Sequence, residues 1–153
     1  MRIAGLLLAA VTVMGQAPAA QAPPTPPAPR PIGTMSELMV NIVYPSSDAI
    51  FYISTRTPET PGEWLELQTN AMMLGEAANL LMMPGRARDD KKWMEDAKLL
   101  HDVGLAAFRA AKAKNVEALT ALNEQLEVSC VQCHQDYRPN YRRRAPPRPE
   151  PAP

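Results

Sequence analysis

Charge of one sign is what this chain lacks most plainly. Its 153 residues carry 16 Lys+Arg against 16 Asp+Glu. Binding to nucleic acid usually needs a strong basic excess, so that class is excluded. Strand patterning is missing as well. Between Thr34 and about Arg142 the apolar residues recur in steps of three and four, the period of a helix. Long hydrophobic runs are also missing. The apolar stretch from Ile3 to Val13 is too short to span a bilayer as a helix. No cysteine follows it, which argues against a lipoprotein anchor. Cysteine and histidine are scarce, with two of each. A structural zinc site is normally built from two pairs of such ligands, and a lone His101 is no second pair.

What little cysteine there is falls in one place, Cys130-Val131-Gln132-Cys133-His134. Cys-x-x-Cys-His is the covalent attachment site of a c-type haem. Two thiols three residues apart project from one side of a helical turn. There they can form thioether bonds to the two vinyl groups on one edge of the ring. The next residue places an imidazole under the iron as its proximal ligand. The expected cofactor is therefore one covalent haem c, held by Cys130 and Cys133, with His134 as metal ligand. Three other readings stay open. A dithiol redox motif has the same spacing, but it sits beside a βαβ pattern. A zinc site would use three ligands here rather than four. A disulfide outside the cytoplasm leaves His134 without a role.

The ends of the chain point to export. Met1-Arg2, the apolar run and Ala17-Pro18-Ala19 have the layout of a secretory signal peptide over residues 1–19. Attachment of c-type haem takes place on the outer side of the bacterial inner membrane, so the expected location is the periplasm. No stable membrane insertion is expected after cleavage. Cleavage removes Arg2, leaving 15 basic residues against 16 acidic ones, a net charge of −1. Residues 20–33 read as a disordered Pro/Ala-rich spacer, and 143–153 as a disordered Pro-rich tail. Arg142-Arg143-Arg144 reads either as a docking patch or as solvated surface.

Residues 34–142 hold four helices. Thr34 and Glu37 form a capping box before an apolar face of Met35, Leu38, Met39 and Ile42. Pro45 is expected to kink or break this helix, with Ser46 and Ser47 able to cap a second piece. Thr60-Pro61-Gly62-Glu63 opens the second helix, whose stripe is Trp64, Leu67, Ala71, Leu74, Ala78 and Leu81. The third starts near Asp89 or Asp90 and carries Trp93, Ala97, Leu100, Gly104, Ala107 and Ala111. Its small residues allow close helix approach. The fourth is capped by Asn115, and its stripe of Leu119, Leu122, Leu126, Cys130, Cys133 and Tyr137 leads into the motif.

The expected fold is all-α, an up-down-up-down four-helix bundle with the haem at the C-terminal end of the last helix. That order brings Met35, Met39, Met82, Met83, Arg86, Arg88, Trp93 and Met94 to the haem end. Met72 and Met73 fall away from it. His101 lies roughly 16 Å along its helix at about 1.5 Å per residue and reads as an ordinary helix histidine. Arg86 and Arg88 are candidates to pair with haem propionates.

A haem motif on the last of four helices resembles the cytochrome c-prime family, the class II c-type cytochromes, over about Thr34 to Arg138. The string from Cys130 to Arg138 fits that family's attachment helix. The resemblance implies that Arg138 lies over the proximal side of the haem. It also implies that the first helix supplies the residue at the sixth position. In low-spin members this is a methionine sulfur, and they carry electrons. In high-spin members an apolar side chain stands behind an empty position, and they bind small gases. Glu37 to Pro45 is similar to a set of exported haem-binding bundle proteins whose Leu-Met pair falls at Leu38-Met39. Met39 is the expected axial ligand, with Met35, one turn earlier, as its rival. The expected function is an electron carrier rather than an enzyme, with an unidentified redox protein as partner. Some members dimerise through the first two helices, so a homodimer is one option for assembly. The alternatives are a five-coordinate haem protein binding nitric oxide or carbon monoxide, and a haem-free exported bundle with a zinc site or disulfide.

Overall fold

The structure, a computed structural model, describes residues 28–138. The expected signal peptide, most of the spacer, Arg142–Arg144 and the tail lie outside the described residues. The helical elements are α1 (Met35–Leu38), a π-helical turn (Met39–Val43), α2 (Tyr44–Phe51), α3 (Pro61–Met82), α4 (Lys92–Lys112), α5 (Val116–Ala121) and α6 (Asn123–Tyr137). They make four rods, because α1, the π turn and α2 are continuous and α5 runs into α6. Among the described residues there is no strand. The all-α expectation holds, and the arrangement is compatible with a helical bundle. No described helix is long and apolar enough to cross a membrane.

Caps start the rods where the local sequence supplies them. Glu37 N–H donates to Thr34 Oγ1 at 3.2 Å while Thr34 N–H donates to Glu37 Oε2 at 2.8 Å. Thr60 and Glu63 repeat the exchange at 3.3 and 2.8 Å. Each box satisfies donors that a helix start leaves open. Asn115 Oδ1 accepts from Ala118 N–H at 2.9 Å and opens α5. The third rod begins at Lys92, slightly later than expected, yet Asp89 Oδ1 still accepts from the N–H groups of Lys91 and Trp93, each at 3.0 Å.

Two expectations need correction. Pro45 does not break the first rod, and Ser46 and Ser47 cap nothing. Both serines are buried, and Ser47 Oγ turns back onto the Tyr44 carbonyl at 2.9 Å. The chain instead widens into a π turn just ahead of the proline, with Tyr44 N–H reaching Met39 O five residues back. The wider turn relieves the crowding that a proline ring causes in the turn before it, and it lies immediately ahead of Pro45, which has no N–H to donate. The fourth rod is the second case. It tightens at Leu122, whose N–H bonds to Leu119 O at 3.2 Å, and Asn123 Nδ2 donates instead to Phe51 O at 3.1 Å.

The stripes expected on α3 and α4 are buried throughout. Trp93 Nε1 donates to Leu81 O at 2.8 Å, while farther along Gly104 faces Gly75. The two pairs advance in opposite senses, so α3 and α4 are antiparallel. At the crossing the backbones touch. A Cβ on Gly104 would lie 2.4 Å from Gly75 N and 2.5 Å from Gly75 Cα, whereas one on Gly75 would meet nothing nearer than 3.6 Å. Only glycine fits at 104, and the close approach follows from that. The first rod packs on α3, and α6 packs chiefly on α4.

Candidate cofactor site

The motif occupies the last two turns of α6, and those turns are fastened to the start of α4. Gln132 Nε2 donates to Asp96 Oδ1 at 2.7 Å. Lys92 Nζ bridges Asp96 at 3.0 Å and Asp136 at 3.2 Å. The Tyr137 hydroxyl donates to Asp89 Oδ2. The Tyr137 ring meets Trp93 edge-on, with centroids 4.9 Å apart. These contacts set the register of α6 on α4 and with it the direction of every motif side chain.

Cys130, Cys133 and His134 are all half-buried, and both cysteines are free. Burial raises the Cys130 thiol above its ordinary range. Cys133 is pushed up to about 11, first by burial and then by the Asp96 carboxylate. Redox dithiols depend on the reverse, an electropositive setting that stabilises a thiolate. The His134 imidazole is held below its usual pKa by burial and then by the Arg138 guanidinium, which favours the neutral ring that can ligate a metal. Among the described residues no three His, Cys, Asp or Glu side chains converge on a common point. Haem attachment needs no such convergence, because the thiols and the imidazole bond to different atoms of the group. A zinc site does need it.

Arg86 is aimed by a tight turn. Arg86 N–H closes onto Met83 O at 3.1 Å around Pro84-Gly85, and Gly85 takes φ 85°, where glycine is favoured. The guanidinium is buried. Nη2 donates to Gly33 O at 3.1 Å and Nη1 lies 3.7 Å from Met83 Sδ. Its Nε is buried without a partner among the described residues. A buried donor left open fits an anionic group such as a propionate. Arg88 is exposed.

Met39 is the first residue of the π turn, half-buried against the core, and Met35 has similar exposure one turn earlier. Met82 and Met94 also pack on the core, while Met72 and Met73 are exposed. His101 Nδ1 pairs with Asp102 Oδ1 at 3.2 Å. The candidate residues thus form two groups. Cys130, Cys133 and His134 belong to the α4/α6 side. Met39 and Arg86 belong to the side of the first rod and α3. Trp93 touches both sides, through Leu81 at the end of α3 and Tyr137 at the end of α6.

Sequence reasoning passed over Asp96. Its side chain is fully buried and its Oδ2 has no partner among the described residues. The signal was available, because Asp96 falls on the core stripe three residues after Trp93. Lys92 and Asp96, four apart, instead resemble a routine surface ion pair. The π turn at Met39 was also missed, and π turns recur at functional sites. Comparison with protein-family models, curated proteins and solved structures finds no match. The resemblance to class II cytochromes therefore rests on the motif and the helix pattern alone.

Proposed function

We propose that the chain is an exported mono-haem c-type cytochrome that carries electrons, with an up-down-up-down bundle and the haem at the C-terminal end of its last helix. The observation that carries this reading is Cys130-x-x-Cys133-His134 on a single helix, with both thiols free, half-buried and disfavoured as thiolates. Contacts linking the end of α6, the start of α4, the Arg86 turn and Gly33 are those an up-down order calls for.

In this reading Cys130 and Cys133 would hold the group by thioethers, and His134 and Met39 would be its metal ligands. Arg86 would offer its open Nε to a propionate, and Arg138, one turn after His134, would lie near the group on the side of that ligand. When bound, the haem supplies a one-electron iron couple. His134 presents a neutral nitrogen, and the soft Met39 sulfur favours the reduced state and raises the potential. A haem held through both His134 and Met39 would have no open position for a substrate, and this reading is therefore of a carrier and not an enzyme. One electron enters from a donor protein and leaves to an acceptor in the periplasm. Exposed Val40, Tyr44, Leu65 and Met72 on the first two rods are the apolar surface that a homodimer of the class II type would cover.

One observation favours a second reading. Leu38 is 4 % exposed, more deeply buried than Met39. An apolar side chain in that place matches a five-coordinate haem protein that binds nitric oxide or carbon monoxide. One experiment separates the readings. The full chain is exported from a host with haem-attachment machinery, run on a denaturing gel stained for haem peroxidase, and its oxidised and reduced spectra are recorded. Staining and a low-spin spectrum are expected. Cys130→Ala with Cys133→Ala should abolish the stain. Met39→Ala should give a high-spin iron that binds carbon monoxide and has a lower potential, while Met35→Ala changes little. A parent protein already high-spin selects the gas-binding reading, and one without stain returns the chain to the zinc or disulfide reading.

A further inference from the structure

We infer that Asp96 and Lys92 on α4 form an opposed charge pair that sets the reduction potential of the group held by α6, with the carboxylate dominant. This rests on the cytochrome reading above. Asp96 lies on the core stripe of α4 with its side chain fully buried, whereas the Lys92 side chain is 43 % exposed. Gln132, which donates to Asp96 at 2.7 Å, is the residue immediately before Cys133. The carboxylate is thereby tied to the segment that carries one thioether and the proximal ligand.

Burial makes the two charges unequal in reach. Water screens an exposed ammonium strongly and a buried carboxylate weakly. Lys92 also divides its charge between Asp96 and Asp136, 3.0 and 3.2 Å away. Asp89 is engaged by the Tyr137 hydroxyl, and Arg138 is exposed. Of this pair, what reaches the interior is mainly the negative charge of Asp96, whose side chain is fully buried while that of Lys92 is not. Oxidation adds one positive charge to the iron. A buried anion beside it stabilises the oxidised form and lowers the potential. A cation does the reverse.

A purely structural pair, fastening α6 to α4, would behave differently. Asp96→Asn keeps an oxygen to accept from Gln132 and removes only the charge. Lys92→Gln removes the cation and leaves an amide that can still donate to Asp96. Both variants are made in the exported full chain. Haem stain, oxidised and reduced spectra, thermal stability and midpoint potential are measured for each. The expected result is retained stain and an unchanged spectral type, with the potential shifted upward in Asp96→Asn and downward in Lys92→Gln, the first shift being larger. Potentials that stay at the parent value, or that move in the same direction in both variants, overturn the inference even if stability falls. Should Asp96→Asn fail to accumulate, the downward shift in Lys92→Gln still decides the matter, and its absence overturns it. A parent protein that takes up no haem is the separate failure of the cytochrome reading, visible on the gel before any potential is measured, and it overturns this inference as well.

Discussion

The crossing of α3 and α4 and the end where α4 meets α6 are built in opposite ways. At the crossing, side chains are removed so that Gly75 and Gly104 can bring two backbones together. At the α4/α6 end, charged side chains are kept and buried. Asp96 lies under the surface there, and Arg86 does so in the turn that follows α3, each with a polar atom left open among the described residues. Close packing contributes stability through many small contacts. Burying a charge costs stability unless it is fully paired. Departures from local consistency of this kind gather at functional sites, so the end of the molecule that is costlier to fold is the one read as the site. Changes at the crossing should therefore act on folding alone, and changes at the end should act on the site.

The largest effect on folding is expected at Gly104. Its Cβ would strike the Gly75 backbone at 2.4 Å, and no flexible side chain is there to yield. Overpacking costs about 1–3 kcal/mol and occasionally more, and a clash with backbone belongs at the upper end of that range. Gly104→Ala should lower stability by about 3 kcal/mol or more in urea unfolding followed by circular dichroism. Gly75→Ala meets only ordinary contact at 3.6 Å. It should be neutral or stabilise by up to about 1 kcal/mol, because alanine is the better helix former. Equal losses at the two positions would mean that the crossing is not asymmetric as described.

A middle-sized and local effect is expected at the fastening of α6. The Tyr137 hydroxyl, followed by the Trp93 backbone N–H, holds the Asp89 carboxyl below its usual range. A depressed carboxyl contributes stability above its unfolded value of about 3.9 and loses it as pH falls through the lower folded value. Tyr137 is pushed up to about 12, first by its bond to Asp89. Its contribution is complete below the ordinary phenol value of about 10 and is lost as pH rises through that raised value. Amide exchange in the last turn of α6 should be slower in the parent than in Asp89→Asn at pH 6. The difference should fade as pH drops below about 3.9. A difference that persists undiminished in acid would show that the Asp89 charge is not what fastens the helix.

Much of this was legible in the sequence for a physical reason. Caps and stripes are local. Thr34 with Glu37, Thr60 with Glu63 and the α3 and α4 stripes each lie within a few turns of chain, and the structure forms them as expected. Cys130, Cys133 and His134 stand out in the sequence because their spacing alone suggests a chemistry, and the structure sets all three on one helix. What escaped depends on contacts distant in sequence. The burial of Asp96 follows from Gln132, 36 residues away. The tightening at Leu122 accompanies the bond from Asn123 to Phe51, 72 residues back. Pro45 announced a disturbance, but nothing local chose a π turn over a break.

The smallest effect is expected at the far end of α4, where neither region is touched. Lys114 takes φ 53°, the one positive-φ residue other than glycine among those described. It sits in a Schellman motif, with Asn115 N–H on Ala110 O and Lys114 N–H on Ala111 O, each at 3.0 Å. The left-handed conformation costs an L-residue about 1–2 kcal/mol. Glycine avoids that cost but gives up about 0.5–1 kcal/mol of chain entropy on folding. Lys114 is exposed, so no packing is lost with its side chain. Lys114→Gly should stabilise by about 0.5 kcal/mol, the difference between these two costs. In the exported protein its spectrum and potential should match the parent, because the change lies at the end of α4 away from Trp93 and Asp96. A stabilised variant with a shifted potential would show that folding stability alone moves the site, and the separation between the two regions would then be lost.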